Sequence, residues 1–313
     1  MELKKPKFWN YENPTILAFL LWPLSILFKL ISNLNKKNKK KYEDIKSICL
    51  GNFYVGGTGK TSLAIKFKKI LDKENIKSCF IKKYYANQLD EQKLLEKYGK
   101  VFINNSRDQA LQQAIRENYN VAIFDDGLQD SSIDYDLTFV CFNNLNWIGN
   151  GFLIPAGPLR ESLDNLKFYK NVFLNGNNEN LIDIIKKIKD KNPNINVYTS
   201  KYKMQNLKDF NKEKKYLVFS GIGNHQTFVN MLKNEKFNVI QDIEFPDHYD
   251  YKDSDLNKII VLSKELDAKI ITTEKDYLRL KESYTKNIYF IKTELEIIDE
   301  DKIIKILNNN EKY

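Results

Sequence analysis

Cysteine, histidine, proline and glycine are all scarce in this sequence. Its 313 residues include 3 cysteines, 2 histidines, 7 prolines and 12 glycines. So little glycine and proline excludes a collagen-like chain, and 42% hydrophobic residues exclude a disordered polar chain. The length suits one large or two ordinary domains. Because the cysteines show no metal-ligand or redox spacing and each lies in an apolar run, we expect reduced core thiols of a cytosolic body at Cys49, Cys79 and Cys141.

Acidic residues are fewer than basic ones, and the net charge is +9. A basic chain raises the question of a nucleic-acid or anionic-membrane partner. Residues 1–41 contain nine lysines and only two glutamates, so most of the excess charge lies in this segment. One charged N-terminal element beside a nearly neutral body argues against binding to nucleic acid.

Long hydrophobic runs are absent, with one exception near the N-terminus. Residues 15–31 carry a single charge, Lys29, and as a helix would be about 26 Å long, which is borderline for crossing a bilayer. Pro23 is expected to bend this helix or to begin a second one. Residues typical of a membrane interface lie in this run and beside it, namely Trp22 within it and Trp9, Tyr11 and the lysine-rich run 36–41 on its flanks.

We therefore predict an N-terminal membrane-associated helix within residues 1–33. A single-pass span and a shallow interfacial anchor both remain open. A buried core helix is a further alternative because the run is short. A cleaved signal peptide is disfavoured because no small-residue cleavage site follows the apolar run.

A glycine-rich segment follows a short β-type stretch at 45–50 and precedes a helical stretch at 62–72. The order of strand, glycine loop and helix is that of a phosphate-binding P-loop. Glycines let backbone N–H groups close around phosphate oxygens, and the helix N-terminus adds positive potential. The expected nucleotide-binding residues are Gly56, Gly57, Thr58, Gly59, Lys60 and Thr61, with Lys60 on the β- and γ-phosphates and Thr61 on Mg²⁺. Tyr54 occupies the position where the general pattern has its first glycine.

A second pattern supports the first. The apolar stretch 121–124 ends at Asp125 and Asp126, and an acid at the end of such a strand is the Walker B arrangement that holds Mg²⁺ or its waters. The sequence leaves open which of the two aspartates binds the ion. A solvated Asp-Asp-Gly turn is the alternative.

Strands and helices alternate along the rest of the chain, which predicts a doubly wound parallel sheet. The predicted strands of the first half are 77–82, 101–104, 121–124 and 136–142, with helices at 90–98 and 106–117. The alternation restarts with strands at 216–220, 237–243, 269–273 and 288–292 and helices at 226–233 and 254–266. The fold class is therefore α/β, with a P-loop NTPase-type domain and a second, smaller α/β domain. We place the domains at 34–205 and 206–313, with the boundary in the polar stretch 195–214.

The order of several motifs resembles the tetraacyldisaccharide 4'-kinase (LpxK) family. The motifs are GNFYVGGTGKT at 51–61, DDGLQD at 125–130, GNGFLIPAGPLRE at 149–161, SGIGNHQTF at 220–228, FPDHYDY at 245–251 and TEKD at 273–276. The resemblance covers most of the chain. It implies transfer of the ATP γ-phosphate to the 4'-hydroxyl of a tetraacylated glucosamine disaccharide at the cytoplasmic face of the inner membrane. It also explains the anchor, since a substrate with four acyl chains does not readily leave the bilayer.

The resemblance also implies roles for individual residues. Asp90 matches the acid that acts as a base toward the sugar hydroxyl, and His248 would pair with it and take up its proton. Arg160 would face phosphate or substrate. Roles near the substrate are implied for Glu91, Gln129, Glu161 and Arg107, although a helix-starting Arg-Glu pair on a solvated face is the alternative for Arg160 and Glu161, and a surface histidine is the alternative for His248.

Three departures from the family pattern stand out. The family's S-R-G-Y-G stretch is replaced by residues 82–86, so that Lys83 would offer an ammonium group in place of a guanidinium. Leu89 replaces the glycine of the G-D-E motif, and the loop before it is short. Asp130 replaces a histidine.

Two other function classes share some of these features. A membrane-attached P-loop ATPase or GTPase, acting as a switch or partitioning protein, would share the P-loop, the acid and the anchor. The segment 273–276 lacks the spacing of the guanine-binding N/T-K-x-D motif. A non-catalytic lipid-binding adaptor with a relic nucleotide site is the second class, and the intact P-loop and aspartates argue against it.

Overall fold

The computed structural model describes residues 5–34, 39–85, 88–176 and 180–308, which form two compact units. Of these residues, the large unit contains 5–85, 95–201 and 295–308, and the small unit contains 88–94 and 202–294. The predictions for the basic run 36–41 and for residues 82–86 lie partly outside the described residues.

The strands are β1 (Lys46–Gly51), β2 (Ser78–Lys83), β3 (Val101–Asn104), β4 (Val121–Asp125), β5 (Leu137–Asn143), β6 (Asn171–Asn175), β7 (Asn196–Met204), β8 (Lys215–Ser220), β9 (Asn238–Glu244), β10 (Lys269–Thr273), β11 (Ile288–Ile291) and β12 (Thr293–Ile297). The helices are α1 (Ile16–Leu34), α2 (Lys60–Lys73), α3 (Leu89–Glu96), α4 (Arg107–Arg116), α5 (Leu181–Lys191), α6 (His225–Asn234), α7 (Asp253–Glu265), α8 (Glu274–Tyr277), α9 (Glu282–Thr285) and α10 (Glu300–Asn308). Short 3-10 turns occur at Lys7–Asn10, Leu163–Phe168 and Leu207–Asp209.

The large unit is built on an eight-stranded sheet with the order β12-β7-β6-β5-β1-β4-β2-β3. The pairings from β7 to β3 are parallel, and the strand interiors are apolar, as expected for strands covered on both faces. The chain first builds the sheet on the β4 side of β1 and then continues with β5 on the other side. Parallel sheets bind ligands at such a switch point, outside the carboxyl ends of the strands. The P-loop follows β1 and therefore lies at this point.

The small unit is built on a four-stranded parallel sheet with the order β11-β10-β8-β9. Alternate side chains of β8 enter two separate apolar clusters. Val218 packs in the cluster that contains Leu232 of α6, whereas Leu217 packs in the cluster that contains Ile259 of α7. Because successive strand residues point to opposite faces, α6 and α7 cover opposite faces of this sheet. The predicted α/β class, with a doubly wound parallel sheet and a second, smaller α/β part, is confirmed.

The N-terminal apolar segment forms one helix, α1, which continues through Pro23. Of the two alternatives predicted for Pro23, the one in which a second helix begins there is therefore wrong. Among residues 16–31 of α1, most apolar side chains are exposed, Ile16 at 82% and Leu20 at 71%, and only Ala18 and Ser25 are buried, which argues against a core helix. Among the described residues, no helix combines the length and the hydropathy that are needed to cross a bilayer.

The unit boundaries follow the three-dimensional pairing more than the linear order of the chain. The boundary after Lys201 falls inside the stretch 195–214, as predicted for a domain boundary. This polar stretch nevertheless contains strand β7. Residues 295–308, which the sequence places in the second domain 206–313, belong to the large unit. Residues 88–94, which the sequence places in the first domain, belong to the small unit.

Candidate functional sites

The glycines of the P-loop adopt backbone conformations that suit few other residues. Gly56, Gly57 and Gly59 have φ values of 73°, 59° and 84°, in the left-handed region where a Cβ atom causes strain. Helix α2 begins at Lys60, directly after the last of them. The first N–H groups of a helix have no partner within the helix, so this end presents donors and a positive potential to an anion.

Tyr54 is accommodated because the loop is held from the side by the 149–161 segment. The backbone of Tyr54 pairs with Leu159, and Val55 N–H donates to the Pro158 carbonyl at 3.0 Å. The phenol is 1% exposed and its hydroxyl donates to Asn10 at 3.0 Å. Burial raises the pKa of Tyr54 to about 12. A glycine is therefore not required at this position, and the GNGFLIPAGPLRE motif forms a wall beside the loop.

Asp125 is the last residue of β4, which pairs directly with β1. Its Oδ2 accepts a hydrogen bond from Thr61 Oγ1 at 3.1 Å and one from Lys82 Nζ at 3.0 Å. Its Oδ1 is buried and has no hydrogen-bond partner among the described residues. An unpartnered carboxylate oxygen beside a threonine hydroxyl fits the oxygen ligands that Mg²⁺ prefers. Of the two aspartates, Asp125 is therefore the one whose geometry fits a Mg²⁺ ligand beside Thr61.

The described residues contain no group of three or more His, Cys, Asp or Glu side chains arranged to bind a metal. An ion held by Thr61 and Asp125 would take its other ligands from phosphate oxygens and water, as Mg²⁺ commonly does at nucleotide sites.

Asp126 has a different position and a different set of partners. Its carboxylate lies 3.6 Å from Lys60 Nζ and 2.9 Å from Arg160 Nη1. Burial acts to raise its pKa, but Lys60, Arg160 and Arg107 outweigh it and lower the pKa of Asp126 to about 2. The residue has a φ of 58°, and Arg107 Nη2 donates to its carbonyl oxygen at 2.6 Å. Asp126 thus carries a fixed negative charge that orients the two cations expected to meet phosphate.

The remaining predicted residues of the large unit support this pair of aspartates. Arg160 Nη1 also donates to Gln129 Oε1 at 3.0 Å, and Gln129 Nε2 donates to the Asn52 carbonyl at 2.9 Å. Arg107 is 5% exposed and binds Asp130 at 3.2 Å. Arg107 therefore braces the Asp125–Asp130 loop. Glu161 accepts hydrogen bonds from Asn165 at 3.1 Å and Tyr169 at 3.4 Å, so the Arg160–Glu161 pair is not a solvated helix start.

A second cluster lies in the small unit. Asp90, on α3, is 2% exposed, and its two carboxylate oxygens lie 3.0 Å and 3.2 Å from Nδ1 of His248. Nε2 of His248 faces Glu91 at 3.6 Å and Asp247 at 3.8 Å. His248 has a φ of 60°, and its N–H donates to the Gly221 carbonyl at 3.0 Å. Such strained backbone positions often mark functional sites.

Two cations balance the acids of this cluster. Lys275 Nζ lies 3.0 Å from Glu91 and 3.5 Å from Asp90, and Arg279 Nε lies 3.5 Å from Asp90. Burial favours a higher pKa for Asp90, but the hydrogen bond from His248 and the charges of Lys275 and Arg279 lower it to about 2. Burial acts to lower the pKa of Lys275, yet Glu91, Asp247 and Asp90 raise it. Both groups are therefore ionised near neutral pH.

The other histidine has a structural environment. His225 is 2% exposed, its Nδ1 lies 2.6 Å from Ser220 Oγ and its Nε2 lies 3.0 Å from Asp242. Both ring nitrogens are occupied and the hydroxyl is fully buried. Only His248 of the two histidines has an accessible side chain, at 14%.

The predicted residues thus fall into two groups, one in each unit. The large unit brings together the P-loop, Asp125, Asp126, Gln129, Arg107, Arg160 and Glu161, and the small unit brings together Asp90, Glu91 and His248. Sequence reasoning missed Lys82, Asn52 and Asp247, and it named no role for Lys275 or Arg279. Lys275 could have been predicted from the TEKD motif, and Asp247 from its position directly before His248. No local pattern marks Lys82, since only the pairing of β2 with β4 brings it to Asp125.

The chain resembles proteins of one named family along almost its whole length. A family model described as LpxK, tetraacyldisaccharide-1-P 4'-kinase, matches residues 17–312. A tetraacyldisaccharide 4'-kinase from Pelagibacter ubique is 57% identical over 313 residues, covering 100% of both chains. The enzyme of the same name from Rickettsia felis is 34% identical, covering 96% of this chain and 95% of its own.

The fold has a solved counterpart as well. The crystal structure of LpxK from Aquifex aeolicus in complex with ATP superimposes with a TM-score of 0.68 at 23% sequence identity. The match covers 93% of this chain and 98% of that one, and it supports the fold described above. Together with the family model and the close relatives, the order of the motifs leads to one assignment: the chain belongs to the tetraacyldisaccharide-1-P 4'-kinase (LpxK) family.

Proposed function

We propose that the protein transfers the γ-phosphate of ATP to the 4'-hydroxyl of a tetraacyldisaccharide 1-phosphate. Membership of the kinase family carries the proposal, and the intact loop at the β1 switch point supports it. Lys60, Thr61 and Asp125 are the residues to which we assign the phosphate and Mg²⁺ contacts of phosphoryl transfer. A membrane-attached ATPase would share these residues, but it would have no need of the Asp90–His248 pair in the small unit.

The large unit is proposed to bind the phosphoryl donor. The P-loop N–H groups and Lys60 would hold the phosphates, while Thr61 and Asp125 would hold Mg²⁺, which supplies charge neutralisation when bound. Asp126 keeps Lys60 and Arg160 directed to the same region. Because phosphoryl transfer depends mainly on positioning and on neutralising charge, these groups should contribute most of the rate.

The small unit is proposed to take the proton of the acceptor hydroxyl. A carboxylate with a pKa of about 2 is a weak base, and Asp90 is almost fully buried. His248 is more accessible, and Asp90 can accept a hydrogen bond from its Nδ1–H. We therefore expect the pair to act as one unit, in which the proton is received at the imidazole while Asp90 orients the ring and stabilises the imidazolium. This refines the role of Asp90 that the family resemblance implies.

Thr273, Glu274, Lys275 and Asp276 do not form a guanine site. Asp276 is fully buried, and its Oδ1 accepts hydrogen bonds from Gly221 N–H at 2.9 Å and Tyr251 at 2.8 Å. Lys275 is engaged by Glu91 and Asp90. This arrangement disfavours the GTPase alternative.

Helix α1 is proposed to attach the enzyme to the cytoplasmic face of the inner membrane as a peripheral element. It exposes a set of large apolar side chains, namely Ile16, Leu17, Phe19, Leu20, Trp22, Leu24, Ile26, Leu27, Leu30 and Ile31. A surface of this kind mixes poorly with water and is suited to the boundary of a lipid bilayer. Membrane attachment would bring the enzyme to a substrate that stays in the membrane.

Charged residues on the exposed side of α1 should weaken membrane binding. We expect the double variant Leu20→Glu and Leu27→Glu to show at least roughly tenfold less recovery on anionic phospholipid vesicles in a sedimentation assay, because two exposed apolar side chains that would enter the lipid are replaced by charges. The matched control is Val261→Glu on α7, since Val261 is an apolar side chain of similar exposure outside α1 (55%). Equal recovery of the double variant and the control would contradict a role for α1 in attachment.

The decisive test of the function is a lipid-kinase assay on the purified full chain. With Mg²⁺ and detergent, label from γ-³²P ATP should appear on tetraacyldisaccharide 1-phosphate and not depend on added protein partners. ATP hydrolysis without labelled lipid would instead favour the ATPase alternative. Absence of both activities, in protein that is folded, would favour a relic nucleotide site.

A further inference from the structure

A chain of buried polar groups connects the P-loop to two strands on the far side of β5. Asn175, the last residue of β6, donates from Nδ2 to the Thr58 carbonyl at 2.5 Å. Ser200 on β7 lies opposite Asn175 in the sheet, and its hydroxyl donates to Asn175 Oδ1. Asn52 donates from Nδ2 to Thr58 Oγ1 at 3.0 Å and also to the Tyr54 carbonyl. Each of the four side chains Asn52, Thr58, Asn175 and Ser200 is at most 2% exposed.

These hydrogen bonds fix the orientation of a peptide group inside the loop. In a trans peptide, the carbonyl and the following N–H point in opposite directions because the group is planar. When Asn175 holds the Thr58 carbonyl against the sheet, the N–H of Gly59 is turned away from the sheet. Gly59 has a φ of 84° and directly precedes Lys60. The bond from Asn175 therefore directs a donor of the loop toward the side on which an anion is bound.

Ser200 holds the Asn175 amide in the orientation that the loop requires. An amide can rotate by half a turn, which exchanges its donor and acceptor ends. The Thr58 carbonyl can only accept, so it requires the Nδ2 end of the amide, and the Ser200 hydroxyl donates to Oδ1 and holds the amide in that orientation. Without that hydroxyl, Oδ1 would have no donor in a buried site, which is unfavourable and weakens the hold on the amide.

We infer that Asn175 and Ser200 are positioning residues for the nucleotide: they hold the P-loop in its phosphate-binding shape before the nucleotide arrives. The inference rests on the proposed ATP binding and extends it to two residues outside every nucleotide-binding motif. A loop that is already ordered has less conformational freedom to lose on binding, so the benefit appears as nucleotide affinity.

The test compares Asn175 with an asparagine at the opposite end of the same strand. Asn171 begins β6, is 6% exposed, and is bonded to Asn196 at the start of β7, away from the P-loop. Binding of Mg²⁺ with the non-hydrolysable analogue AMPPNP is measured by calorimetry on the full chain in detergent. We expect Asn175→Leu to raise the Kd roughly tenfold, equivalent to about 1.4 kcal/mol. Asn171→Leu should leave the Kd within about twofold of the unsubstituted protein, even if its thermal midpoint falls.

Ser200 provides a second measurement that does not depend on the leucine variant folding. Ser200→Ala should raise the Kd about threefold to fivefold, and Ser200→Thr, which keeps the hydroxyl, should restore it. In the kinase assay, both Asn175→Leu and Ser200→Ala should raise the KM for ATP while kcat stays within about threefold. A purely structural role would move the thermal midpoint without this separation of KM and kcat.

Several outcomes would overturn the inference. Unchanged AMPPNP affinity in Asn175→Leu and Ser200→Ala would do so, as would an equal loss of affinity in Asn171→Leu. If the unsubstituted protein shows no saturable AMPPNP binding, the proposed function fails and this inference fails with it. If the unsubstituted protein binds AMPPNP and the Asn175 and Ser200 variants bind it equally well, the positioning role is refuted while the proposed function stands.

Discussion

Lys60→Ala should lower kcat/KM for lipid phosphorylation by at least about a thousandfold, equivalent to about 4 kcal/mol of transition-state stabilisation. Lys60 is the first residue of α2, next to the glycines of the loop, and is the ammonium group expected on the β- and γ-phosphates. In the substituted protein Asp126 keeps its contact with Arg160 at 2.9 Å, so the fold of the loop should survive. The measurement is the initial rate of ³²P transfer at saturating lipid, with circular dichroism as a check on folding.

The matched control for this prediction is Lys73→Ala. Lys73 is the last residue of the same helix and its side chain is exposed at the end away from the loop. This variant should retain activity within about twofold. A Lys60→Ala enzyme with more than about a tenth of the original rate would show that the loop lysine is not needed for transfer, and the donor site would have to be placed elsewhere.

Asp90→Asn should reduce kcat by about a hundredfold to a thousandfold, with the KM for ATP changed by less than about threefold. Asparagine keeps the size of the side chain but removes the negative charge that holds the His248 imidazolium. Lys275 and Arg279 would then face a neutral group in place of the carboxylate. Because the pKa of Asp90 is held at about 2, its own protonation should not shape the pH–rate profile above about pH 4.

His248→Gln should show a loss of similar size, and the double variant should be no slower than the worse single variant, because the two side chains act as one unit. Asp253→Asn is the control, since Asp253 is an exposed aspartate of the small unit whose partner is the surface residue Lys281 at 2.7 Å. A rate for Asp90→Asn equal to that of this control would remove the pair from the proton-transfer role. Additive losses in the double variant would contradict joint action.

The regular elements around the P-loop could be predicted closely from the sequence. The strand predicted at 45–50 is observed at Lys46–Gly51, and those predicted at 101–104 and 269–273 have the predicted bounds. Each of these strands has an apolar centre, as expected where both faces of a parallel sheet are covered. The glycine loop could be predicted because phosphate binding needs a particular residue type at each of several adjacent positions.

Other elements leave a weaker trace in the sequence. No element is predicted between 171 and 204, yet β6, α5 and β7 lie there. Strand β6 has only five residues and begins and ends with asparagine, so it lacks the apolar character of a buried strand. Strand β6 is instead defined by its hydrogen bonds to β5 on one side and β7 on the other. A pairing between distant segments cannot be predicted from the residues of one segment.

The sequence alone determined the α/β class, the phosphate loop, the two aspartates and the family, because each of these depends on residue types at short, fixed separations. The tertiary structure decided which aspartate faces Thr61, that Asp90 and His248 meet across 158 positions of the chain, and that Asn175 and Ser200 hold the P-loop. It also decided that Lys82 lies against Asp125 and that residues 295–308 return to the large unit. These arrangements arise from strand order, which brings distant carboxyl ends to one edge of a sheet and is not encoded in any single segment.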